Sequence, residues 1–536
     1  MKSNEVWKTG VVYQIYPRSF MDSNQDGIGD LKGIIQRLDY VQSLGVDMIW
    51  LSPVYQSPND DNGYDISDYC AIHPDFGTME DMEQLIEEAR KRNMKIIMDL
   101  VINHTSDEHR WFVESQKSED NPYRDYYIWQ KKPNNWTSFF SGSAWDRIGD
   151  WYYLHLFSKK QPDLNWKNPR VMEEIQSIMH FWLKKGIYGF RCDVINILFK
   201  TSLANGKKRL VLTGKEHYHS QEGCHHILKK LRTDVLNQYD CFTVGETVMV
   251  TPKQANDLIL PERQELDMVF AFEHMETDQI NNKWFKTRFS ANRFMKVIKT
   301  WQEEVHWNAN YLENHDQPRS VSRFGNDQTY HPESAKMLLS ILLTLKGTPF
   351  VYQGQEIGMT NGDFKSIDAF KDVETHRIVA LAKKLHFPKW YIWHMLKTAS
   401  RDHARTPMQW TKEGGFTEGT PWIQMNANKA TINVDNQLND PHSIVCYFKT
   451  LVQLRKDYAA LTKGTFRALK TQNNVFVFER KHQDESIIVV ANMSAKPRRF
   501  NPLVTGKILL SNTNRNDLTN GILKPYEAII VLGESL

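Results

Sequence analysis

Two charged side chains stand two positions apart in the apolar stretch GFRCDVIN, residues 189–196. Successive side chains of a β-strand point to opposite faces, so Arg191 and Asp193 are predicted to share one face of a strand. Burying charges costs free energy unless they satisfy each other or take part in chemistry. A salt bridge under a sheet is the simpler explanation for such a pair alone. Further carboxylates near the ends of later strands favour chemistry.

Three carboxylates are predicted to meet at one place. Asp193 lies in the fourth predicted strand, Glu246 ends the fifth and Asp316 follows the seventh. Convergent carboxylates without a Cys/His metal set indicate glycoside hydrolysis, in which an ionised carboxylate attacks the sugar and a protonated one donates to the leaving oxygen. We predict that Asp193 is the nucleophile, kept ionised by Arg191. Glu246 is then the acid/base, and Asp316 a fixed carboxylate that binds sugar hydroxyls.

The elements that must hold these residues alternate between strand-like and helix-like runs. The strand-like runs are residues 10–16, 46–52, 95–101, 189–195, 241–246, 266–273, 308–315 and 348–356. Near-continuous apolar strands suit a parallel sheet that is buried on both faces. Eight β-then-α units predict an α/β fold, a TIM (β/α)8 barrel, with functional residues at the carboxyl ends of the strands. His104 and His315 follow two such ends and are predicted to be neutral donors to sugar hydroxyls.

Local signals mark where some helices begin. Thr78 with Asp81 predicts a capping box, and Asn168 before Pro169 predicts an N-cap and first helical residue. Further helices are predicted over residues 332–347 and near residues 442–456.

Two stretches break the alternation. Residues 104–167 are rich in Trp, Tyr, Asn, Ser and Pro and are too long for an ordinary loop, so an inserted domain B is predicted after strand three. From residue 465 the pattern becomes alternating, which predicts a C-terminal antiparallel β-sandwich over 465–536. The barrel is therefore assigned to residues 1–103 and 168–464.

Composition limits the class of protein. The chain has 536 residues and a net charge of +3, with no basic run that would suit nucleic acid and no apolar run that would span a membrane. The amino terminus lacks the apolar core of a signal peptide, and the five cysteines are scattered with no CxxC spacing. We predict a cytoplasmic monomer or weak dimer whose partner is a small oligosaccharide.

Four motifs give a more specific prediction. DLVINH (99–104), GFRCDVIN, VGET (244–247) and ENHDQPR (313–319) resemble, in order and spacing, the four motifs of the α-amylase superfamily, glycoside hydrolase family 13. The resemblance covers almost the whole chain and implies a retaining double displacement by Asp193, Glu246 and Asp316. It also implies a set of residues that hold the terminal glucose, namely Asp61, Tyr64, His104, Arg191, His315 and Arg405.

A fifth motif narrows the resemblance. QPDLN (161–165) is similar to the oligo-1,6-glucosidase branch, which removes single glucose units from the non-reducing end of short α-glucosides. In this branch a valine after the nucleophile, here Val194, goes with α-1,6 activity, whereas threonine or alanine goes with α-1,4. The prediction is therefore an exo-acting oligo-1,6-glucosidase that needs no organic cofactor.

Three other activities on the same scaffold stay open. The first is an α-1,4-preferring α-glucosidase, which differs from the prediction only in the linkage inferred from Val194. NPYRDYYIW and PNNW in the insertion resemble trehalose-6-phosphate hydrolases, although Thr247 departs from the methionine typical of that group. Basic residues further along the chain could meet a phosphate, although a solvated loop is the simpler interpretation; they are Lys207, Lys208, Arg209 and Lys215. A sucrose isomerase or glucosyltransferase is the third, although the isomerase signature is not apparent near residues 273–285.

A second local motif, DSNQDGIGD (22–30), suits a cation. Oxygen-bearing residues alternate along it, and the resemblance includes a calcium loop here, so a structural Ca²⁺ is expected on Asp22, Asn24, Asp26, the Ile28 carbonyl and Asp30. Mg²⁺ could take its place. The simpler explanation is a turn rich in Asp and Gly that needs no metal.

Overall fold

Eight parallel strands form one sheet in the computed structural model, which describes residues 5–209, 211–469, 473–500 and 504–533. In chain order they are β1 Val12–Ile15, β2 Met48–Leu51, β3 Lys95–Leu100, β4 Gly189–Cys192, β5 Phe242–Glu246, β6 Met268–Phe270, β7 Ala309–Asn310 and β8 Thr348–Tyr352. The sheet order is β6-β5-β4-β3-β2-β1-β8-β7. A parallel bridge from Val269 to Asn308 joins its two edges. The predicted (β/α)8 barrel is confirmed.

Several strands are shorter at their carboxyl ends than the sequence predicted. β4 ends at Cys192, so Asp193 lies just beyond the strand and not within it. β7 has two residues, and the backbone beyond it turns where Asn314 Oδ1 accepts the N–H of Asp316 at 2.8 Å. The polar side chains bond to backbone groups at these ends, and such local bonds compete with the strand ladder.

Helices cover the outside of the barrel. They are Leu31–Gln36 and Leu38–Ser43 after β1, then one after each later strand, Met79–Lys91, Pro169–Lys184, Glu222–Asp234, Pro252–Ile259, Ala291–Glu304, His331–Thr344 and Ile444–Asp457. The predicted capping box is present, because Thr78 accepts from the Asp81 N–H and the Asp81 carboxylate accepts from the Thr78 N–H. Asn168 caps the next helix, as predicted, by accepting from the Arg170 N–H. Such caps are each worth about 1 kcal/mol.

The segment between β3 and its helix has its own small sheet. Trp129–Gln130, Trp145–Ile148 and Trp151–Leu154 pair antiparallel, with the last in the middle. Aromatic rings fill the space beneath it, as in the edge-on contact of Phe112 with Tyr153 at 5.1 Å. The prediction of an inserted unit after strand three agrees with this sheet, and its exact limits stay a prediction.

A five-stranded antiparallel sheet follows the barrel. Its strands are Thr465–Ala468, Val475–His482, Glu485–Asn492, Gly506–Ser511 and Ala528–Gly533. Alternate residues take opposite sides: Phe476 and Phe478 join the main core, whereas Val475 and Val477 pack in a separate cluster with Phe500. Both faces are therefore covered, which confirms the predicted C-terminal β domain.

An insertion that was not predicted from the sequence lies between β8 and its helix. Helices Val373–Lys384 and Lys389–Ala399 pack on a small apolar cluster of their own, and the short helix Asp402–Arg405 follows. This insertion brings Arg401 and Arg405 to the barrel mouth. Within the described ranges, no helix combines the length and the apolar character that crossing a bilayer requires.

Candidate active site

One buried arginine joins three carboxylates at the mouth of the barrel. The Nη1 atom of Arg191 lies 2.6 Å from Asp99 Oδ1 and 2.6 Å from Asp193 Oδ1. Its Nη2 atom lies 2.7 Å from Glu246 Oε2. Asp99 and Arg191 are register partners on β3 and β4, so the sheet itself sets this contact. If all three carboxyls were ionised, the cluster would carry two more negative charges than positive ones. The repulsion among the carboxylates therefore opposes their ionisation.

The two predicted catalytic carboxyls differ in pKa because their surroundings differ. Burial raises the pKa of Asp193 to about 6, although Arg191 opposes the rise as predicted. Burial raises the pKa of Glu246 to about 7, and the neighbouring charges of Asp193 and Asp316 raise it further. Both carboxyls contact the same guanidinium, Asp193 through Nη1 and Glu246 through Nη2. Between pH 6 and 7 the stable arrangement is therefore an ionised Asp193 beside a protonated Glu246.

Val194 holds an uncommon backbone conformation beside these carboxyls. Its φ of 36° and ψ of 43° lie in the left-handed region, which disfavours β-branched residues. In this conformation its N–H reaches Glu246 Oε2 at 3.2 Å. Its side chain is buried and packs in an apolar cluster with Ile128, Ile197 and Tyr218. Val194 thus joins Glu246, the predicted acid/base, to the wall formed by the inserted segment.

Asp316 is surrounded by positive and polar groups. Its Oδ1 atom lies 3.2 Å from Arg401 Nη1 and 2.9 Å from Arg405 Nη2, and its Oδ2 atom lies 3.2 Å from His315 Nε2. Burial alone would raise the pKa of this carboxyl, but His315, Arg401 and Arg405 together hold it well below its usual range. Asp316 is therefore ionised wherever the other two carboxyls titrate.

The remaining predicted sugar contacts line the same mouth. Asp61 Oδ1 lies 2.9 Å from Arg401 Nη2. The ring of Tyr64 stacks on His315 with centroids 5.3 Å apart. His104 Nε2 lies 3.1 Å from the Tyr64 carbonyl, and burial lowers the pKa of both histidines, so both rings are neutral. Each predicted site residue outside the cation motif is thus brought to one place, while the individual roles stay predictions.

Sequence reasoning missed some residues of the site. Arg401 contacts Asp61, Asp316 and Asp372, yet it was not predicted. Its spacing of four residues from Arg405 is the signal that could have found it, since residues four apart lie on one face of a helix. Asp99 entered the prediction only as the first residue of the DLVINH motif.

The fifth motif, QPDLN, contributes a second buried ion pair. Lys200 Nζ lies 2.6 Å from Asp163 Oδ2 and donates to Asn103 Oδ1 at 2.8 Å. Gln161 Nε2 donates to Asp61 Oδ2 at 3.3 Å. The motif therefore anchors the inserted segment to the barrel mouth.

The predicted cation motif is tied by bonds to its own backbone and by the Thr417 hydroxyl, which donates to Asp22 Oδ2. Asp22 accepts the N–H groups of Asn24, Gln25 and Gly27. Asp30 caps the following helix by accepting from the Gly33 N–H at 2.7 Å. Within the described part of the chain, no three His, Cys, Asp or Glu side chains are grouped to hold a metal by themselves.

The basic stretch after β4 is held against the inserted segment. The Trp136 indole donates to the Ala204 carbonyl at 2.9 Å, and its ring stacks on His217. The Arg209 guanidinium lies 3.7 Å from Glu216, which also accepts the Lys207 N–H. Lys207, Lys208 and Arg209 are exposed. This stretch covers the inserted segment and is no isolated loop.

Residues 14–464 match the family described as alpha amylase, catalytic domain. The chain belongs to the alpha-amylase family. An oligo-1,6-glucosidase of Halalkalibacterium halodurans is 48% identical over 99% of this chain and 100% of that protein. A solved trehalose-6-phosphate hydrolase of Bacillus licheniformis has a TM-score of 0.94 and 42% identity over 98% of this chain and 99% of that one. An isomaltulose synthase of Erwinia rhapontici has a TM-score of 0.95 and 38% identity, covering 99% of both chains.

Membership of the alpha-amylase family confirms the resemblance inferred from the four motifs. The three relatives are named for different reactions, although their chains align with this one over almost their full length. The fold therefore does not choose among these reactions, and the site must be argued from its own residues.

Proposed function

We propose that this protein is a retaining, exo-acting α-glucosidase that releases glucose from the non-reducing end of short α-1,6-linked oligosaccharides such as isomaltose. The observation that carries the proposal is that Asp193 and Glu246 both contact Arg191, Asp193 at 2.6 Å and Glu246 at 2.7 Å. Retaining glycosidases place these carboxyls about 5–5.5 Å apart, whereas inverting enzymes need about 6.5–9.5 Å to admit a water. The close pair supports the retaining geometry.

The reaction proceeds in two displacements. Ionised Asp193 attacks the anomeric carbon while protonated Glu246 donates its proton to the departing glycosidic oxygen. Glu246, now ionised, takes a proton from water, which attacks the same carbon and releases Asp193 and glucose with retained configuration. Arg191 touches both carboxylates, so it stabilises the charge that passes from one to the other.

Asp316 binds the sugar and is ionised throughout. With Arg401, Arg405 and His315 fixing its orientation, its oxygens accept hydrogen bonds from the hydroxyls of the terminal glucose. Such bonds favour the reaction when they strengthen as the ring distorts toward the transition state.

The shape of the site supports exo action. Arg401 connects Asp61, Asp316 and Asp372 by buried ion pairs at one end of the pocket. A wall of this kind would stop a continuing glucan at this end, which supports action at a chain end. The other end, beside Val194 and the inserted segment, receives the aglycone.

Val194 supports the α-1,6 preference. Its side chain is fixed in the apolar cluster that joins the inserted segment to the barrel, and its backbone holds the acid/base. A rigid apolar group at this point limits where the aglycone can leave. The oligo-1,6-glucosidase relative at 48% identity supports the same preference.

Trehalose 6-phosphate is the second candidate substrate, since a hydrolase of that name is 42% identical to this chain. Lys207, Lys208 and Arg209 are exposed on a stretch that packs on the inserted segment. One contact counts against a phosphate role, because Arg209 already faces Glu216.

We also propose a structural Ca²⁺ on the loop of Asp22, Asn24, Asp26, Ile28 and Asp30. Asp30 Oδ2 and both Asp26 oxygens accept one hydrogen bond each and keep a lone pair for a cation, whereas each Asp22 oxygen already accepts two hydrogen bonds. The amide oxygen of Asn24 and the carbonyl of Ile28 would complete an oxygen-only site, as Ca²⁺ requires.

The deciding experiment compares kcat/KM for isomaltose, maltose and trehalose 6-phosphate under one set of conditions. Isomaltose is expected to be the best substrate. Trehalose 6-phosphate in first place would mean that the basic stretch governs specificity and would overturn the proposal. Maltose in first place would leave the mechanism standing and remove the linkage preference. Glucose should appear first as the α-anomer, and β-glucose would contradict retention.

A further inference from the structure

Arg401 and Arg405 form an arginine wall on one side of the active site, where both contact Asp316. A cavity of about 640 Å³ lies behind this arginine wall. The short helix Asp402–Arg405 separates the cavity from the active site, because His403 lines the cavity while Arg401 and Arg405 contact Asp316. The described residues that line the cavity do not include any of the three catalytic carboxylates. Its volume falls within the range of about 300–1,000 Å³ that is common for small-molecule sites.

A buried ion triad forms one side of this cavity. Asp278 accepts from Lys286 Nζ at 2.9 Å and from Arg323 Nε at 2.8 Å, and all three side chains are at most 7% exposed. The triad is fixed, so it offers its remaining N–H groups and lone pairs without rearrangement. Charges of both signs line the cavity in equal number, namely Lys286, Arg323, Lys397, Asp278, Asp327 and Asp363. This balance favours a neutral polar ligand over an anion.

His403 adds an unused acceptor. The residue is 2% exposed, and its Nε2 atom donates to the Leu396 carbonyl at 3.0 Å. Burial lowers the pKa of its ring to about 4, so the ring is neutral and Nδ1 carries a lone pair. Nδ1 makes no hydrogen bond of good geometry among the described residues, although the Gly362 and Lys397 backbones also interact with the ring. A buried acceptor of this kind is satisfied by a ligand that donates, such as a hydroxyl.

We propose that this cavity is a second sugar site, which binds one neutral glucose unit separately from the catalytic pocket. The sugar hydroxyls can donate to His403 and Asp278 and accept from Lys286 and from the amide of Asn428, all of which line the cavity. Phe289, which also lines it, presents an apolar ring suited to the C–H face of a pyranose. Nothing in this inference depends on the linkage that the active site cleaves.

Equilibrium dialysis against radiolabelled glucose tests the site by counting bound molecules per chain. Ala427 is exposed and lines the cavity, so Ala427→Trp fills the site while removing only a methyl group. Ala430→Trp is the matched control, because Ala430 is exposed in the same short turn, Ala427–Ala430, and does not line the cavity. Hydrolysis of a chromogenic α-glucoside reports the catalytic pocket of each variant.

We expect two glucose molecules per chain in the unaltered protein and in Ala430→Trp, and one in Ala427→Trp with unchanged kcat/KM. A single bound glucose in the unaltered protein, or two in Ala427→Trp, would overturn the proposal. Loss of activity in Ala427→Trp alone would show that the cavity is part of the catalytic pocket and would overturn it too. Glucose 6-phosphate that binds where glucose does not would contradict a neutral ligand. Failure to cleave isomaltose would overturn the proposed function and leave this site intact.

Discussion

At the scale of single residues, the site depends on how one guanidinium is shared. Arg191 contacts Asp99, Asp193 and Glu246 within 2.7 Å, so the three carboxylates compete for one positive charge. Burial disfavours every ionised form, and the competition decides which carboxyl keeps its proton. The outcome is that Asp193, the proposed nucleophile, ionises more easily than Glu246.

Asp193→Ala should abolish turnover, with a loss of roughly 10⁴-fold or more in kcat, because the covalent step is removed. Added azide can then attack the anomeric carbon from the vacated face and should yield the β-glucosyl azide. Glu246→Ala keeps the nucleophile, so azide should yield the α-glucosyl azide there. Product anomers read by NMR check both roles, and exchanged outcomes would reverse the assignment. Asp150→Asn, at a side chain that is 93% exposed, is the control.

The pH profile of kcat/KM should be bell-shaped. Activity requires Asp193 without its proton, so it rises as pH passes about 6, and it requires Glu246 with its proton, so it falls as pH passes about 7. The two limbs belong to the coupled pair and not to either residue alone. Initial rates at low substrate concentration from pH 4 to 9 test this profile. An activity that stays level from pH 5 to 9 would contradict the roles of both carboxyls.

Val194→Thr should shift the preference toward maltose. Threonine has nearly the same shape and the same backbone restriction, so the N–H bond to Glu246 should persist while a hydroxyl enters the apolar wall. We expect the isomaltose-to-maltose ratio of kcat/KM to fall by about 10-fold, a typical effect of one changed pocket contact. Val248→Thr, in the same cluster but without that bond, should leave the ratio unchanged. An unaltered ratio in Val194→Thr would refute the linkage argument.

At the scale of elements, the insertion after β8 supplies what the strands lack. The short helix Asp402–Arg405 and the residue before it deliver two arginines to Asp316, and the helices Val373–Lys384 and Lys389–Ala399 support that helix through their own apolar cluster. The carboxylates come from strand ends, whereas the cations that orient Asp316 come from this insertion.

Arg401→Lys should weaken catalysis more than it weakens the fold. Lysine keeps the charge, but its single ammonium cannot span Asp61, Asp316 and Asp372 as the planar guanidinium does. We expect kcat/KM for isomaltose to fall about 10²-fold, a size typical of a misplaced substrate-orienting group. Circular dichroism and thermal unfolding provide the check on folding. Arg90→Lys, at a side chain that is 77% exposed, should have no effect, and an equal loss there would contradict the argument.

The barrel could be predicted from sequence because each strand is a short apolar run followed by a helical pattern. The ends of the strands could not, since local bonds such as that of Asn314 to the Asp316 N–H replace the ladder there. The three carboxylates were found because they follow strands. Arg401 was missed because it lies in an insertion whose position depends on tertiary packing. Its contact with Asp61 spans 340 residues, and no local pattern reports such a distance.

At the scale of the whole molecule, the proposed Ca²⁺ should act on stability and not on chemistry. A ligand that binds only the folded state stabilises it by mass action, by about 2.7 kcal/mol at 100 times its Kd. We expect millimolar Ca²⁺ to raise Tm relative to EDTA with little change in kcat. Asp26→Asn should remove this response, because it removes a carboxylate ligand of the proposed ion. Asp26 is exposed and caps no helix, so the substitution itself should not lower Tm. Equal Tm in Ca²⁺ and EDTA would exclude the ion.

The arginine wall also bears on when activity can arise as the chain is made. Asp193, Glu246 and Asp316 all precede residue 317, but the groups that orient Asp316 stand at Arg401 and Arg405. A nascent chain of only the first 400 residues contains all three carboxylates but lacks Arg401 and Arg405. An unfinished or truncated chain should therefore be inert toward sugar, and activity should begin only once the insertion after β8 has docked on the barrel.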